Sequence, residues 1–160
     1  MSNISSKDVH VPLHLRIDTT RQILQVIRGG KVERTYPIST SKFGLGCEPD
    51  SNKTPVGRFV ISEKIGEGAV EGTVFKSRVP TGEVATQGGE EDLVLTRILW
   101  LAGLEENNAN TKERYIYIHG TNQEALLGIP ASHGCVRMSN ADVAECFAEI
   151  SEGTPVEIVT

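Results

Sequence analysis

Short stretches in which apolar and polar residues alternate occupy the first third of the chain. Residues 14–18, 22–27 and 32–38 follow this alternation, which is typical of strands with one buried face. A Gly-Gly pair at 29–30 supplies the positive φ angles of a tight hairpin turn between the second and third stretches. These short strands predict an antiparallel meander, and residues 54–61 predict one more strand after a polar loop.

The pattern changes at residue 63. Residues 63–92 are rich in glycine and poor in apolar side chains, so we expect long irregular segments around one short strand near residues 74–75. An irregular segment of this length in a compact domain is often a lid over a site. Residues 93–104 are apolar enough for a buried strand or a helix, and the pattern favours a strand over 94–100.

The last third of the chain combines strands with two predicted helices. Residues 114–119 are rich in β-branched and aromatic side chains and predict a strand. The spacing Thr121-x-x-Glu124 resembles a capping box, so a short helix is predicted to end at Gly128. A second helix is predicted from residue 139 or 140 to 150, and a closing strand over 154–159.

Length and composition limit the domain organisation and the partners. The 160 residues suit one domain, and we expect a mainly-β domain over residues 11–160 after a tail over residues 1–10. The net charge of −5, with no block of Lys or Arg, disfavours nucleic acid and anionic membranes as partners. Neither a signal peptide nor a membrane span is visible, so we expect a cytoplasmic protein. Oligomeric state is not predicted.

Residues 132–138 carry the strongest candidate chemistry. They contain Cys135 with His133 close beside it, and His119 precedes them at the end of a predicted strand. A free thiol has a pKa of about 8.5 and is mostly protonated at neutral pH, whereas an imidazole that takes its proton turns it into a nucleophile. Gly134 removes a side chain where backbone N–H groups approach a developing oxyanion.

Other interpretations of these residues stay open at this point. Cys135 can instead be a structural buried cysteine, as we expect for Cys146 in the last helix, and His119 a hydrogen-bonded interior histidine. Two histidines and one cysteine are also zinc-ligand types, but their spacing matches no common finger pattern, so we expect neither a metal nor another cofactor. The odd count of three cysteines indicates reduced thiols.

The neighbours of Cys135 suggest supporting roles. Arg137 can clamp a substrate carboxylate with two parallel hydrogen bonds, or it can be a surface cation near a helix start. Ser132 can hydrogen-bond within the loop or cap a turn. His133 can lend positive potential to the thiolate or hold the loop.

Several motifs together resemble the L,D-transpeptidase (YkuD-type) catalytic domain family. They are residues 119–121 and 132–138, with residues 54–59 and 153–156 as supporting segments, and the resemblance covers roughly residues 11 to 160. It implies a YkuD-like β-sandwich with two short helices near the active site. It also implies attack by a cysteine on the bond between the L-centre of meso-diaminopimelate and D-alanine in peptidoglycan stem peptides.

The resemblance further implies a role for each residue of the motifs. Cys135 would be the nucleophile, His119 the general base and the Gly120 carbonyl the group that orients the imidazole. Backbone N–H groups around His133, Gly134 and Cys135 would form the oxyanion hole, and Arg137 stands where some family members carry Asn. The residues expected to bind substrate are Arg137, Ser132, Gly120 and Thr121.

The acceptor of the acyl group is not determined by these motifs. Because no export signal is visible, we expect soluble muropeptides as substrates and water as the acceptor, which is L,D-carboxypeptidase activity in muropeptide recycling. Transfer to an amine, which is L,D-transpeptidation, is the close competitor. A papain-like amidase and a catalytically inactive muropeptide-binding module are the two other functional hypotheses.

Overall fold

A computed structural model describes residues 12–160, and the predicted tail at residues 1–10 lies outside the described residues. The described chain forms ten strands, one α-helix and two single-turn 3-10 helices at Glu106–Asn108 and Glu124–Leu126. The strands and helix are β1 (Leu13–Asp18), β2 (Ile23–Arg28), β3 (Lys31–Pro37), β4 (Gly57–Ile65), β5 (Thr73–Lys76), β6 (Val79–Val84), β7 (Val94–Gly103), β8 (Tyr117–Gly120), β9 (Val136–Met138), α1 (Asn140–Glu149) and β10 (Pro155–Val159).

All ten strands belong to one hydrogen-bonded sheet centred on β7. The order is β3-β2-β1-β10-β4-β7-β5-β6, and β8 pairs with β7 and with β9. Leu99 of β7 pairs with Lys64 of β4 on one side and with Ile118 of β8 on the other. The long central strand therefore connects the meander at the start of the chain to the pair of strands that carries the candidate site.

The sheet folds back on itself around one hydrophobic core. Buried side chains from β1, β2, β4, β10, β7, β8 and β9 form this core together with the inner face of α1. Alternation explains it, because successive residues of a strand point to opposite faces: Leu15 and Ile17 are fully buried, while His14 and Arg16 are half-buried. The mainly-β sandwich predicted from the sequence is confirmed.

The helix predicted over residues 121–127 is wrong. Only Glu124–Leu126 turn helically, as a single 3-10 turn. A capping box requires the Glu124 side chain to return to Thr121, but its Oε2 accepts the Asn140 N–H at 2.8 Å at the start of α1. The helix predicted from residue 139 or 140 is confirmed as α1, and Ser139 Oγ caps it by accepting the Asp142 N–H at 3.0 Å.

The predicted irregular segment contains more regular structure than expected. Strands β5 and β6 form a hairpin within it, whose turn residues Ser77 and Arg78 both have positive φ angles, 48° and 67°. Every residue of β6 is exposed, so the strand shows no alternation of buried and polar positions that would have predicted it. We call β5 and β6 the lid hairpin.

Three further segments form strands that differ from the elements predicted for them. The ambiguous residues 93–104 form β7. The strand predicted at 114–119 begins at Tyr117 because Tyr115 has φ of 58°, which is incompatible with extended backbone. The short strand β9 lies between the two predicted helices, in a segment for which the sequence analysis predicted no strand. Among residues 12–160 no helix has the length and apolar character needed to cross a membrane.

Candidate active site

Strands β8 and β9 bring the candidate nucleophile and base together. The two strands run parallel, with His119 paired to Arg137, and Cys135 immediately precedes β9. Because side chains alternate between the faces of a sheet, Tyr117, His119, Cys135 and Arg137 lie on the same face. Diagonal neighbours on adjacent strands are within reach of each other's side chains.

The Cys135 thiol is held by backbone groups of the strand opposite. Its S–H donates to the Tyr115 carbonyl and its sulfur accepts the Tyr117 N–H, both at 3.3 Å. Burial raises the pKa of this thiol to about 12, so the group is protonated at neutral pH. Its reactivity therefore depends on a base that removes the proton. Cys146, by contrast, lies fully buried in the core, as predicted.

His119 is a buried imidazole in the correct tautomer to be that base. The ring is 2% exposed, and its Nδ1 lies 2.6 Å from the Gly120 carbonyl oxygen. Only an Nδ1–H can donate to a carbonyl, so Nε2 carries the free lone pair. Burial lowers the pKa of His119, and the negative charge of Asp92 opposes that shift. The ring is therefore neutral at pH 7 and able to accept a proton.

The imidazole and the thiol share a face without a hydrogen bond between them. Within residues 12–160 the contacts of Cys135 Sγ are those to Tyr115 and Tyr117, and the ring of His119 contacts the Gly120 carbonyl. A side-chain rotation or a bridging water is therefore required before sulfur can pass its proton to Nε2.

Ser132 and Thr54 hold the loop that leads into Cys135. Ser132 Oγ donates to the Cys135 carbonyl at 2.7 Å and accepts the Gly134 N–H at 3.2 Å. Thr54 Oγ1 donates to the Gly134 carbonyl at 2.9 Å, and Gly134 has φ of 125°, which only glycine adopts readily. Of the three amides predicted for an oxyanion hole, that of Gly134 is thus used inside the loop. Those of His133 and Cys135 meet no acceptor in the described part of the chain.

Gly120 and Thr121 lie behind the imidazole and are packed against protein atoms. A Cβ at Gly120 would lie 2.3 Å from the Asn140 side-chain oxygen and 2.8 Å from the Leu95 carbonyl, so only glycine fits. Thr121 is fully buried, and its Oγ1 accepts the Gln123 N–H at 3.0 Å. These contacts place both residues as supports of His119. A contact of either with substrate stays a prediction.

The structure adds a residue that the sequence pattern did not indicate, Asp92. Its Oδ2 lies 2.8 Å from His133 Nδ1, and its Oδ1 accepts from Arg137 Nε at 3.2 Å and lies 2.9 Å from Arg137 Nη2 in an ion pair. Burial raises the pKa of Asp92, but the charge of His119 and the hydrogen bonds from Arg137 and His133 outweigh it and hold the pKa below 3.8. No local motif marks an aspartate that ends a glycine-rich segment, so only the fold could reveal it.

One edge of the Arg137 guanidinium contacts Asp92, and the other edge has no hydrogen-bond partner among the described residues. The side chain is 1% exposed; its Nε donates to Asp92 Oδ1, and its Nη2 lies 2.9 Å from the same oxygen. Its Nη1 is buried and has no hydrogen-bond partner among the described residues. Asp92 therefore holds the Nε side of the guanidinium through one oxygen, and the Nη1 amino group remains for a ligand.

A cavity of about 350 Å³ opens beside the nucleophile. His133, Tyr115 and Ile116 line its inner side, and Asp50 and Arg114 belong to its outer wall. The cavity reaches the surroundings of Cys135 through two lining residues, Tyr115, whose carbonyl accepts the Cys135 thiol, and His133. Across residues 12–160 no cluster of three or more histidine, cysteine or acidic side chains is arranged to hold a metal ion.

Solved structures of L,D-transpeptidases share this fold. The chain superposes on L,D-transpeptidase 3 from Mycobacterium tuberculosis in complex with a faropenem-derived adduct with a TM-score of 0.61 and 16% identity, covering 94% of this chain and 61% of that one. The L,D-transpeptidase LdtMt1 in complex with imipenem gives a TM-score of 0.60 at 23% identity, covering 93% of this chain and 59% of that one.

Sequence comparison agrees with the fold. The YkuD protein of Bacillus subtilis (strain 168) is 26% identical over 148 residues, which are 92% of this chain and 66% of that protein. The YqjB protein of the same organism is 32% identical over 135 residues, which are 84% of this chain and 64% of that protein. The chain thus spans just under two thirds of these relatives. A family model of the L,D-transpeptidase catalytic domain matches residues 12–158, and the chain belongs to that family.

Proposed function

We propose that this chain catalyses cysteine-dependent acyl transfer on peptidoglycan stem peptides or muropeptides, at the bond between meso-diaminopimelate and D-alanine. The observation that carries the proposal is the pairing of β8 with β9, which brings Cys135 and His119 to one face of the sheet; the cavity lined by His133 and Tyr115 supports it. Family membership supports the choice of an L,D bond over an L,L bond.

The chemistry follows from the two side chains. His119 Nε2 takes the proton from Cys135 Sγ, and the thiolate attacks the carbonyl carbon of the L,D amide. The resulting oxyanion meets the amides of His133 and Cys135, which are the free donors of the loop. The imidazolium returns its proton to the amine of the leaving D-alanine, and a thioester to Cys135 remains. Water or a second amine then resolves the thioester.

Arg137 is proposed to recognise a carboxylate of the substrate. Its Nη1 is a buried charged donor without an acceptor, a state that costs free energy until a ligand supplies one. Because Asp92 already occupies Nε and Nη2, we expect one hydrogen bond to the ligand carboxylate. Arg137→Lys would shorten the reach of that donor and raise KM for a tetrapeptide more than it lowers kcat.

Product analysis on a defined substrate tests the proposed reaction. The protein is incubated with a disaccharide tetrapeptide that ends in D-alanine, with and without a free D-amino acid, and the products are identified by mass spectrometry. Tripeptide alone indicates hydrolysis, whereas an exchanged terminal residue indicates transfer to an amine. Cys135→Ala is the control and should give neither product. Absence of both products with the unaltered protein contradicts the proposal.

A catalytically inactive muropeptide-binding module is the second candidate. The observations that favour it are the raised pKa of the Cys135 thiol and the missing hydrogen bond to His119. Binding of a muropeptide that is unaffected by Cys135→Ala, with no turnover, would support the module. Cleavage of L,L peptides without need for a D-residue would instead indicate a papain-like amidase.

A further inference from the structure

Asp92 connects the residues on either side of the nucleophile. His133 precedes Cys135 by two positions and Arg137 follows it by two, and the carboxylate of Asp92 contacts both, at 2.8 Å and 2.9 Å. The chain between these contacts is the loop that presents the sulfur. A single carboxylate from the segment that joins the lid hairpin to β7 thus holds this loop from both sides.

The burial of these groups separates them from ordinary surface ion pairs. The Asp92 side chain is 24% exposed and that of Arg137 only 1%. Exposed pairs contribute little to stability, whereas removal of one partner of a buried pair leaves an uncompensated charge. The contact between Asp92 and Arg137 therefore has a large effect on the loop, while the half-exposed His133 adds a second and weaker restraint.

The same carboxylate lies near the proposed base, because it contacts Arg137, whose backbone pairs with that of His119 across β8 and β9. Two charged groups act on His119: Asp92, from the segment before β7, and Arg137, from β9. When the imidazole takes the proton of the thiol it becomes a cation in a buried site. The negative charge of Asp92 favours that cation, whereas the positive charge of Arg137 disfavours it. On the thiolate the two charges act in the opposite sense, because Asp92 raises the pKa of the Cys135 thiol and Arg137 lowers it.

We propose that Asp92 is a positioning residue of the thiol-activating pair: its carboxylate clamps the Cys135 loop through His133 and Arg137, and its charge balances the imidazolium of His119. In this step the S–H bond breaks, its electron pair stays on sulfur, and the proton moves to His119 Nε2. The inference rests on the proposed function for the roles of Cys135 and His119 and is independent of the peptide substrate.

Alkylation of Cys135 by iodoacetamide measures this activation without peptidoglycan. Rates are measured from about pH 5 to pH 9, and peptide mapping separates Cys135 from the half-buried Cys47. For Asp92→Asn we expect an alkylation rate at pH 7 that is at least about tenfold lower. We also expect the acid limb, the part of the profile where the rate falls towards low pH, to shift to lower pH, because His119 loses its charge partner. Glu91→Gln removes the same charge from an exposed neighbouring position and should match the unaltered protein.

A second variant separates the effect of the contacts that hold the Cys135 loop from the effect of the negative charge of Asp92. His133→Asn removes one contact of the clamp and leaves Asp92 ionised, so the plateau rate should fall severalfold while the acid limb stays in place. An Asp92→Asn profile that matches Glu91→Gln, or one that is slower with an unmoved acid limb, overturns the proposal. An unchanged His133→Asn profile overturns the clamp even if Asp92→Asn does not fold. Loss of tetrapeptide cleavage with these profiles intact would contradict only the proposed substrate.

Discussion

Thr54 ties the first half of the chain to the nucleophile loop through one buried hydroxyl. Its Oγ1 donates to the Gly134 carbonyl at 2.9 Å and accepts the Ser41 N–H at 3.0 Å. Valine has the same shape and satisfies neither group, so Thr54→Val should lower the free energy of unfolding by about 2–3 kcal/mol. Urea denaturation measures this loss. Thr35→Val, at an exposed position of β3, is the control and should change stability by less than about 0.5 kcal/mol.

The buried imidazole makes stability depend on pH in a defined direction. Burial lowers the pKa of His119 in the folded chain below its ordinary value of 6.5. At a pH between the folded and the unfolded pKa, the unfolded chain therefore binds a proton that the folded chain does not. The free energy of unfolding therefore falls as pH decreases through this window. The pKa of Asp92 lies below 3.8, and its contribution is lost only at more acidic pH.

A variant without the imidazole isolates this effect. His119→Gln should lose less stability than the unaltered protein between pH 7.5 and pH 5.5, because glutamine takes up no proton. Urea denaturation at the two pH values gives the difference directly. An equal loss of stability in both proteins would contradict the view that His119 is buried in its neutral form.

The strands that the sequence predicts best are those with one buried and one exposed face. Strands β1, β2, β4 and β10 lie close to their predicted positions because alternation marks them, and β3, in which only Tyr36 is buried, is marked by the Gly-Gly turn before it. Strand β6 is exposed throughout and β9 has three residues, all buried, so neither shows the period of two. The helix predicted at 121–127 failed because a tertiary contact, Glu124 with the start of α1, replaced the local cap.

The difference between local patterns and tertiary contacts also decides which residues of the site the sequence predicts. Cys135 and His119 are recognisable in the sequence because short motifs surround them, and the fold places them on paired strands. Asp92 lies 43 positions before Cys135 and belongs to no motif. Its contacts arise only after β7 and β8 pair and bring the segment before β7 next to the loop. Groups that act through tertiary contact are not visible in a local pattern.

Arg78 links the turn of the lid hairpin to the site, where Phe75 of β5 also packs with Tyr117 and Cys135. Arg78, in the turn between β5 and β6, donates to the Tyr117 hydroxyl at 3.1 Å, and its guanidinium lies 4.7 Å from the ring centre of Trp100. It also lies 5.1 Å from the ring centre of Tyr115. Because Tyr115 and Tyr117 provide the backbone groups that hold the Cys135 thiol, Arg78 links the hairpin to the neighbours of the nucleophile.

Removal of this link should loosen the hairpin without unfolding the domain. For Arg78→Met we expect faster amide hydrogen exchange over residues 73–84 and a changed emission of Trp100, the only tryptophan of the chain. Lys76→Met, at an exposed position of the same hairpin, is the control. Unchanged exchange in Arg78→Met would show that the strand pairing to β7 and the packing of Phe75 hold the hairpin without Arg78.

Parallel pairing of β1 with β10 joins the two ends of the described chain. Strand β10 lies between β1 and β4, so it is an interior strand although it comes last in the sequence. Leu15 pairs with Val156 across the parallel contact, and Val156 pairs with Phe59 across the antiparallel one. All three side chains are in the same core. The meander is therefore incomplete until the last strand is in place.

This arrangement predicts that the domain unfolds as one unit. Ile158 of β10 is 1% exposed, so Ile158→Ala should lower the free energy of unfolding by about 2–5 kcal/mol. Trp100 lies on β7, away from β10, and its fluorescence should report the same shifted midpoint as far-UV circular dichroism. Glu157→Ala, which removes partly exposed contacts with Arg16 and His14, should cost less than about 1 kcal/mol. Two separate midpoints in Ile158→Ala would show that β10 and the strands of the site unfold independently.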